Sequence, residues 1–187
     1  MNIKKIEAVV FSEKCVLEIM EFAKSDGEMW KRAFDLWHEL KIGMRNYKSR
    51  EPNLPEGLSE VAFCLWSGSS RFISAKGLSN TSFDTFNTIT KRAEQIKACS
   101  VAFDLTSFGP RSKWDDLYFL DFYNGGKVDG LFDIYKIPNN LIYENKVNKK
   151  QTLKDQQDEK RRPRLCIKKE IIANYKIKPI AEAVKVW

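Results

Sequence analysis

The sequence predicts an α/β fold, a mixed β-sheet flanked by helices, from three observations. Apolar residues recur at helical spacing through the first third, the period shortens to that of strands from about residue 71, and a polar, basic segment with a last helix closes the chain. At 187 residues the chain fits one domain, read as N-terminal helices over 1–50, a core over 51–144 and a basic segment over 145–187.

The elements follow in order. Ser12 reads as an N-cap for a helix to about Ser25, with Val16, Ile19, Met20 and Ala23 on one face. A second helix runs from near Gly27 to Gly43 behind an apolar stripe of Trp30, Phe34, Trp37 and Ile42, and Gly43 serves as its stop. Pro52-Asn53-Leu54-Pro55 leads into a third helix, Glu56 to Trp66, closed by Ser67-Gly68. Short strands are expected at Arg71–Ser74, Ser82–Phe86 and Ala93–Ala98. Leu117–Tyr123 and Leu131–Ile137 are the clearest strands, joined across Asn124-Gly125-Gly126 in a hairpin-like connection. A last short helix is expected around Lys168 to Asn174.

Composition narrows the function. Hydrophobic residues at 43% and aromatics at 12% describe a packed core and exclude a disordered or fibrous chain. No apolar run is long enough for a membrane span and no signal-peptide pattern opens the chain, so a soluble, cytoplasmic protein with no membrane partner is expected. Cys15, Cys64, Cys99 and Cys166 lack C-x-x-C spacing and His38 is the only histidine, which argues against a zinc site and for reduced core thiols. The net charge is +7, yet residues 145–187 hold 13 Lys/Arg against 5 Asp/Glu. The excess positive charge is therefore confined to the C-terminal quarter, the footprint of a polyanion binder.

Phosphodiester hydrolysis needs a metal ion held by oxygen ligands, with a cation near the developing charge. Asp84, Gln95 and Lys97 meet that need if residues 82–87 and 93–98 are neighbouring strands, because Gln95 and Lys97, two apart, project from one face. Glu94 and Ile96 then point the other way. Glu60, on the helix before the sheet, is a carboxylate able to reach the same metal from the side. A second constellation is spelled D…ExK by Asp129 with Glu144 and Lys146. Asp129, however, lies in a Gly-rich turn, and Pro138-Asn139-Asn140 interrupts the path between its parts.

Five stretches, in order, carry a resemblance: Asn53 to Glu60, Phe83-Asp84, Glu94-Gln95-Ile96-Lys97-Ala98, Asp104 to Pro110, and Trp114 to Phe119. With Gln156 to Arg164 they are similar to the ordered motifs of the Bsp6I type II restriction endonuclease family, of the PD-(D/E)XK nuclease superfamily, over roughly residues 50–180. The resemblance implies a restriction-endonuclease-like core and a Mg²⁺-dependent homodimer cutting double-stranded DNA at GC-N-GC, with a cognate DNA methyltransferase as a genetic partner only. It maps the metal-binding aspartate onto Asp84, the (D/E)XK positions onto Gln95 and Lys97, and the helix carboxylate onto Glu60. It also favours this set over Asp129, Glu144 and Lys146. Gln95 departs from the pattern, offering an amide oxygen without charge, so either Glu60 supplies the charge or Glu94 takes over through a bulge. That departure keeps two alternatives open: a non-catalytic, sequence-specific DNA-binding protein, and another nuclease on the same core, modification-dependent or for repair.

For DNA contact, Arg161, Arg162 and Arg164 place three guanidinium groups around Pro163, suited to phosphate or to guanine edges. Gln156 and Gln157 add amides, and Pro163 favours an extended segment. Thr106, Ser107 and Arg111 belong to a loop expected at the sheet edge.

Overall fold

A computed structural model describes residues 1–123 and 125–187. Its centre is an eight-stranded sheet, built in chain order by β1 (Asn2–Val10), β2 (Glu13–Glu21), β3 (Ser70–Lys76), β4 (Thr85–Asn87), β5 (Arg92–Cys99), β7 (Asp116–Asp121), β8 (Phe132–Ile137) and β10 (Ala181–Val184). Adjacent strands in that order pair antiparallel, except β5 and β7, which run parallel in the middle. A second, two-stranded ribbon joins β6 (Thr106–Ser107) to β9 (Arg164–Leu165). The mixed sheet expected from the sequence is thus present.

The N-terminus departs from expectation. Residues 12–25 are not a helix: β1 and β2 form a hairpin with Val10 opposite Glu13. Cys15, Leu17 and Ile19 are buried at alternate positions, so the period is two. The connecting pair, Phe11 and Ser12, both take positive φ (52° and 73°), the geometry of a tight two-residue hairpin turn. Neither residue is the glycine or asparagine that usually announces such a turn. Ser12 therefore turns a hairpin rather than capping a helix.

The two long helices form one layer. Helix α1 (Asp26–Asn46) buries Trp30, Phe34 and Trp37, and α2 (Glu56–Ser67) buries Ala62, Phe63 and Cys64. Both pack on one face of the sheet against Ile96, Leu120, Phe132 and Ile134. Gly43 does not stop α1, which continues to Asn46. A glycine is required instead at Gly27, where an added Cβ would lie 1.9 Å from the Val186 carbonyl oxygen. The close approach lets Trp187 stack on Trp30 with ring centroids 5.7 Å apart.

The other face is covered by segments that follow β8. α3 (Asn139–Tyr143), α4 (Leu153–Asp158) and a seven-residue π-helical turn, Ile167–Ala173, bring Ile142, Leu153, Ile167 and Ile171 against Leu117, Phe119 and Ile137. Residues 145–187 are thus part of the core as well as the carriers of the positive charge. The expected strand over 82–86 is shorter, pairing only as Thr85–Asn87. The Asn124 of the expected β7–β8 connection lies outside the described residues. All four cysteines are free and buried, and among the described residues no helix is long and apolar enough to cross a membrane.

Candidate active site

The shortness of β4 creates the site. Its three residues pair with Arg92–Glu94, leaving the second half of β5 without an antiparallel neighbour. Asp84 stands at the fork: its N–H donates to the Glu94 carbonyl (2.9 Å) and its own carbonyl accepts from Phe72 (3.0 Å). The Ile96 N–H, exposed by the fork, donates to Asp84 Oδ2 at 2.7 Å. The Gln95 amide donates to the same oxygen. Lys97, on the Gln95 side of β5, holds its ammonium 5.7 Å from the centroid of the Phe108 ring.

Asp84, Gln95 and Lys97 line one cleft of about 590 Å³, together with Glu56, Asp104, Arg111 and Arg162. Burial pushes the Asp84 carboxyl up from 3.8 to about 7. Lys97 pulls it down, while Glu60 and Glu56 raise it further. Burial also raises Asp104. Burial, more than neighbouring charge, therefore opposes ionisation at this end of the cleft, and a cation bound there would favour the charged carboxylate.

The two other carboxylates named from sequence are placed differently. Glu94 faces away, as expected from its register, and accepts from Thr85 Oγ1 at 2.8 Å. There is no bulge at Glu94; β5 keeps continuous register with β7 from Glu94 to Cys99. Glu60 is buried and held by Arg71 Nε at 2.6 Å. One helical turn earlier, Glu56 opens into the cleft from the first turn of α2. Sequence reasoning passed over Glu56, although it lies in the same motif and shares the helix face of Glu60 through i, i+4 spacing.

The donors present are the Asp84 carboxylate, the Gln95 amide oxygen once that amide is turned over, and the Glu56 carboxylate. They are all oxygen, which suits a hard cation and not zinc. Among the described residues no three His, Cys, Asp or Glu side chains form a metal-holding group. That sparse set fits Mg²⁺, which keeps several waters and is commonly bound by one or two carboxylates plus substrate phosphate.

The cleft wall opposite β5 is the β6–β9 ribbon. Thr106 is buried and pairs with Leu165, Ser107 pairs with Arg164, and the Phe108 N–H donates to the Pro163 carbonyl (3.0 Å). Arg111 and Arg162 line the cleft. Arg164 is exposed on the ribbon, and Arg161 is exposed beside Glu159 and Gln151. Gln157 points inward, donating to the Gly109 carbonyl at 2.8 Å, and so braces the 106–112 loop. Gln156 reaches the Gln151 side chain at 3.4 Å.

The alternative constellation does not converge. Asp129 precedes β8 and accepts from the Leu131 N–H in a local turn. Glu144 follows α3, beyond the other end of β8, and Lys146 bridges to Thr152. A six-residue strand lies between them, about 20 Å of chain.

Two comparisons with known proteins bear on this chain. A family model described as Bsp6I restriction endonuclease matches residues 22–174. The Type II restriction enzyme Bsp6I of Bacillus sp. (strain RFL6) is 34% identical over 172 residues, covering 89% of this chain and 94% of the relative. No solved structure gives a significant match.

Proposed function

From the membership of this chain in the Bsp6I restriction endonuclease family, a family of type II site-specific deoxyribonucleases, we propose that the Asp84 cleft cuts both strands of GC-N-GC in a Mg²⁺-dependent reaction. The chain is a type II restriction endonuclease acting on double-stranded DNA. Membership displaces the alternative of a non-catalytic binding module. The observation that carries the site assignment is the fork at β4, which gathers Asp84, Gln95, Lys97 and Glu56 around one cleft beneath Arg111 and Arg162.

In this reading Asp84 and Gln95 hold the ion from the sheet and Glu56 approaches it from α2. When bound, Mg²⁺ supplies Lewis-acid polarisation of the phosphoryl oxygen and a more acidic water. Lys97 stabilises the charge gathering on the non-bridging oxygens as water adds and the bond from phosphorus to the 3′ oxygen breaks. The products are a 5′-phosphate and a 3′-hydroxyl. Arg111 and Arg162 grip the backbone at the cleft mouth, while Arg161 and Arg164 extend the positive surface outward. Glu60 acts as a positioning residue, since its pair with Arg71 ties α2 to β3. A palindromic target is most simply read by a homodimer with one such cleft per strand. A cytoplasmic location beside a protecting DNA methyltransferase follows from the restriction role.

Plasmid DNA carrying GC-N-GC sites tests this, with Mg²⁺ or EDTA and with wild type, Asp84→Ala and Glu144→Ala. Wild type and Glu144→Ala should give discrete fragments with Mg²⁺ only, and Asp84→Ala none while it still binds DNA. Full cutting by Asp84→Ala would remove the site from this cleft.

A further inference from the structure

Helix α1 carries a second apolar stripe that its own fold leaves uncovered. Trp30, Phe34 and Trp37 already face the core. Roughly a quarter turn or more away from them lie Met29, Ala33, Leu36, Leu40 and, past the last turn, Tyr47, at the alternating four and three steps of a heptad seam with Gly43 between. Met29 is 50%, Leu36 60%, Leu40 57% and Tyr47 82% exposed. Scattered exposed leucines need no explanation, but an aligned series along a 21-residue helix does.

Two grooves flank the stripe. Beside its N-terminal half a cavity of about 380 Å³ is lined by Met29, Ala33, Leu58 and Val61. Beside its C-terminal half a cavity of about 350 Å³ is lined by Leu40, Met44, Pro52 and Asn53. We infer that this face binds a second copy of the chain, α1 against α1, about a two-fold axis near Leu36. The inference rests on the homodimer reading above and assigns its interface.

Three observations favour a second copy over another occupant. An antiparallel, two-fold pairing is self-complementary in size: Ala33 meets the partner's Leu40, and Met29 meets the dimple at the partner's Gly43, where an added Cβ would find nothing within 4 Å. It is also self-complementary in charge. Arg32 and Glu39 border the stripe, lie seven residues apart and form no ion pair among the described residues. Across the axis Arg32 meets the partner's Glu39, twice over. The footprint, about 30 Å along the helix and about 20 Å across helix and grooves, is roughly 600 Å² per subunit, so the pair clears the ~1,000 Å² of a specific interface. Asn53 lines both the C-terminal groove and the Asp84 cleft, so the seam ends at the cleft entrance.

Sedimentation of the full chain, alone and with DNA containing GC-N-GC, tests the interface. Wild type should be dimeric, and Leu36→Glu with Leu40→Glu should weaken self-association at least ~10-fold while the variant still unfolds in one cooperative transition. Arg32→Glu alone and Glu39→Arg alone should each weaken it, and the two together should restore it. If the double glutamate protein stays dimeric, or the charge exchange restores nothing, the copies pair elsewhere and this assignment fails while the dimer stands. A wild type that is monomeric with and without DNA would instead overturn the dimer itself.

Discussion

Replacing Asp84 with asparagine should stabilise the metal-free protein, and by more as the pH rises. The folded carboxyl ionises near 7, against 3.8 for an unhindered aspartate, chiefly because it is buried. A carboxyl raised on folding costs nothing below about pH 4, where both states are protonated, and opposes folding increasingly as the unfolded chain ionises first. The opposition is complete above about pH 7. At ~1.4 kcal/mol per pH unit between the two values, it amounts to ~4 kcal/mol. Asparagine keeps the geometry, because its oxygen can accept from the Ile96 N–H and its amide can donate to a turned Gln95. Urea unfolding of both proteins in EDTA supplies the measurement. The variant's advantage should grow from below ~2 kcal/mol near pH 5 to ~4 kcal/mol near pH 8, other titrations cancelling in the difference. A difference independent of pH, or wild type gaining on the variant as pH rises, would refute the claim that Asp84 is ionised against its surroundings.

Three further outcomes are expected. Gln95→Glu adds a carboxylate beside Asp84, so it should lower the melting temperature in EDTA yet reduce the Mg²⁺ needed for half-maximal cutting by ~10-fold, read from melts and a metal titration. Glu56→Gln should cut cleavage ~10-fold or more with an unchanged melting temperature, whereas Glu60→Gln leaves Arg71 without its partner and should lose ~1–3 kcal/mol in urea unfolding. Arg162→Ala should weaken DNA binding and reduce the slope of log affinity against log salt by about 1, measured by fluorescence anisotropy.

Which parts of the fold could be read from sequence depends on where the determining contacts lie. α2 was legible because Pro55 precedes it and Gly68, at φ 75°, ends it, both signals carried by local backbone chemistry. β7 and β8 were legible from short apolar and aromatic runs. The β1–β2 hairpin was not. Val16, Ile19, Met20 and Ala23 suit a helix face as well as a strand, and the turn that decides between them uses Phe11 and Ser12 at positive φ. Only the packing of Leu17 and Ile19 with Phe83 and Phe86 settles the choice, and that contact is some 65 residues distant in sequence. The end of α1 escaped for the opposite reason: Gly43 is a good stop in isolation, but Lys41, buried and donating to the Ser100 carbonyl at 3.0 Å, fixes the last turns to the sheet.

The site shows the same division at the scale of single side chains. Period-two geometry was enough to put Gln95 and Lys97 on one face and Glu94 on the other. Which helix carboxylate stands free was not legible, because Glu56 and Glu60 share a face and differ only in what else reaches them. Arg71 comes from β3 and takes Glu60; among the described residues no cation pairs with Glu56, which opens on the cleft. The same logic bears on Gln95. A second carboxylate at that position would sit against Asp84, whose own charge is already opposed by burial and by Glu60 and Glu56. An amide there donates to Asp84 and, turned over, would offer an oxygen to a cation, so on the proposed reading the chain can fold around the cleft before metal binds. On the proposed metal-site reading it forgoes one negative charge at the ion, which Glu56, opening on the same cleft, would supply from outside the sheet.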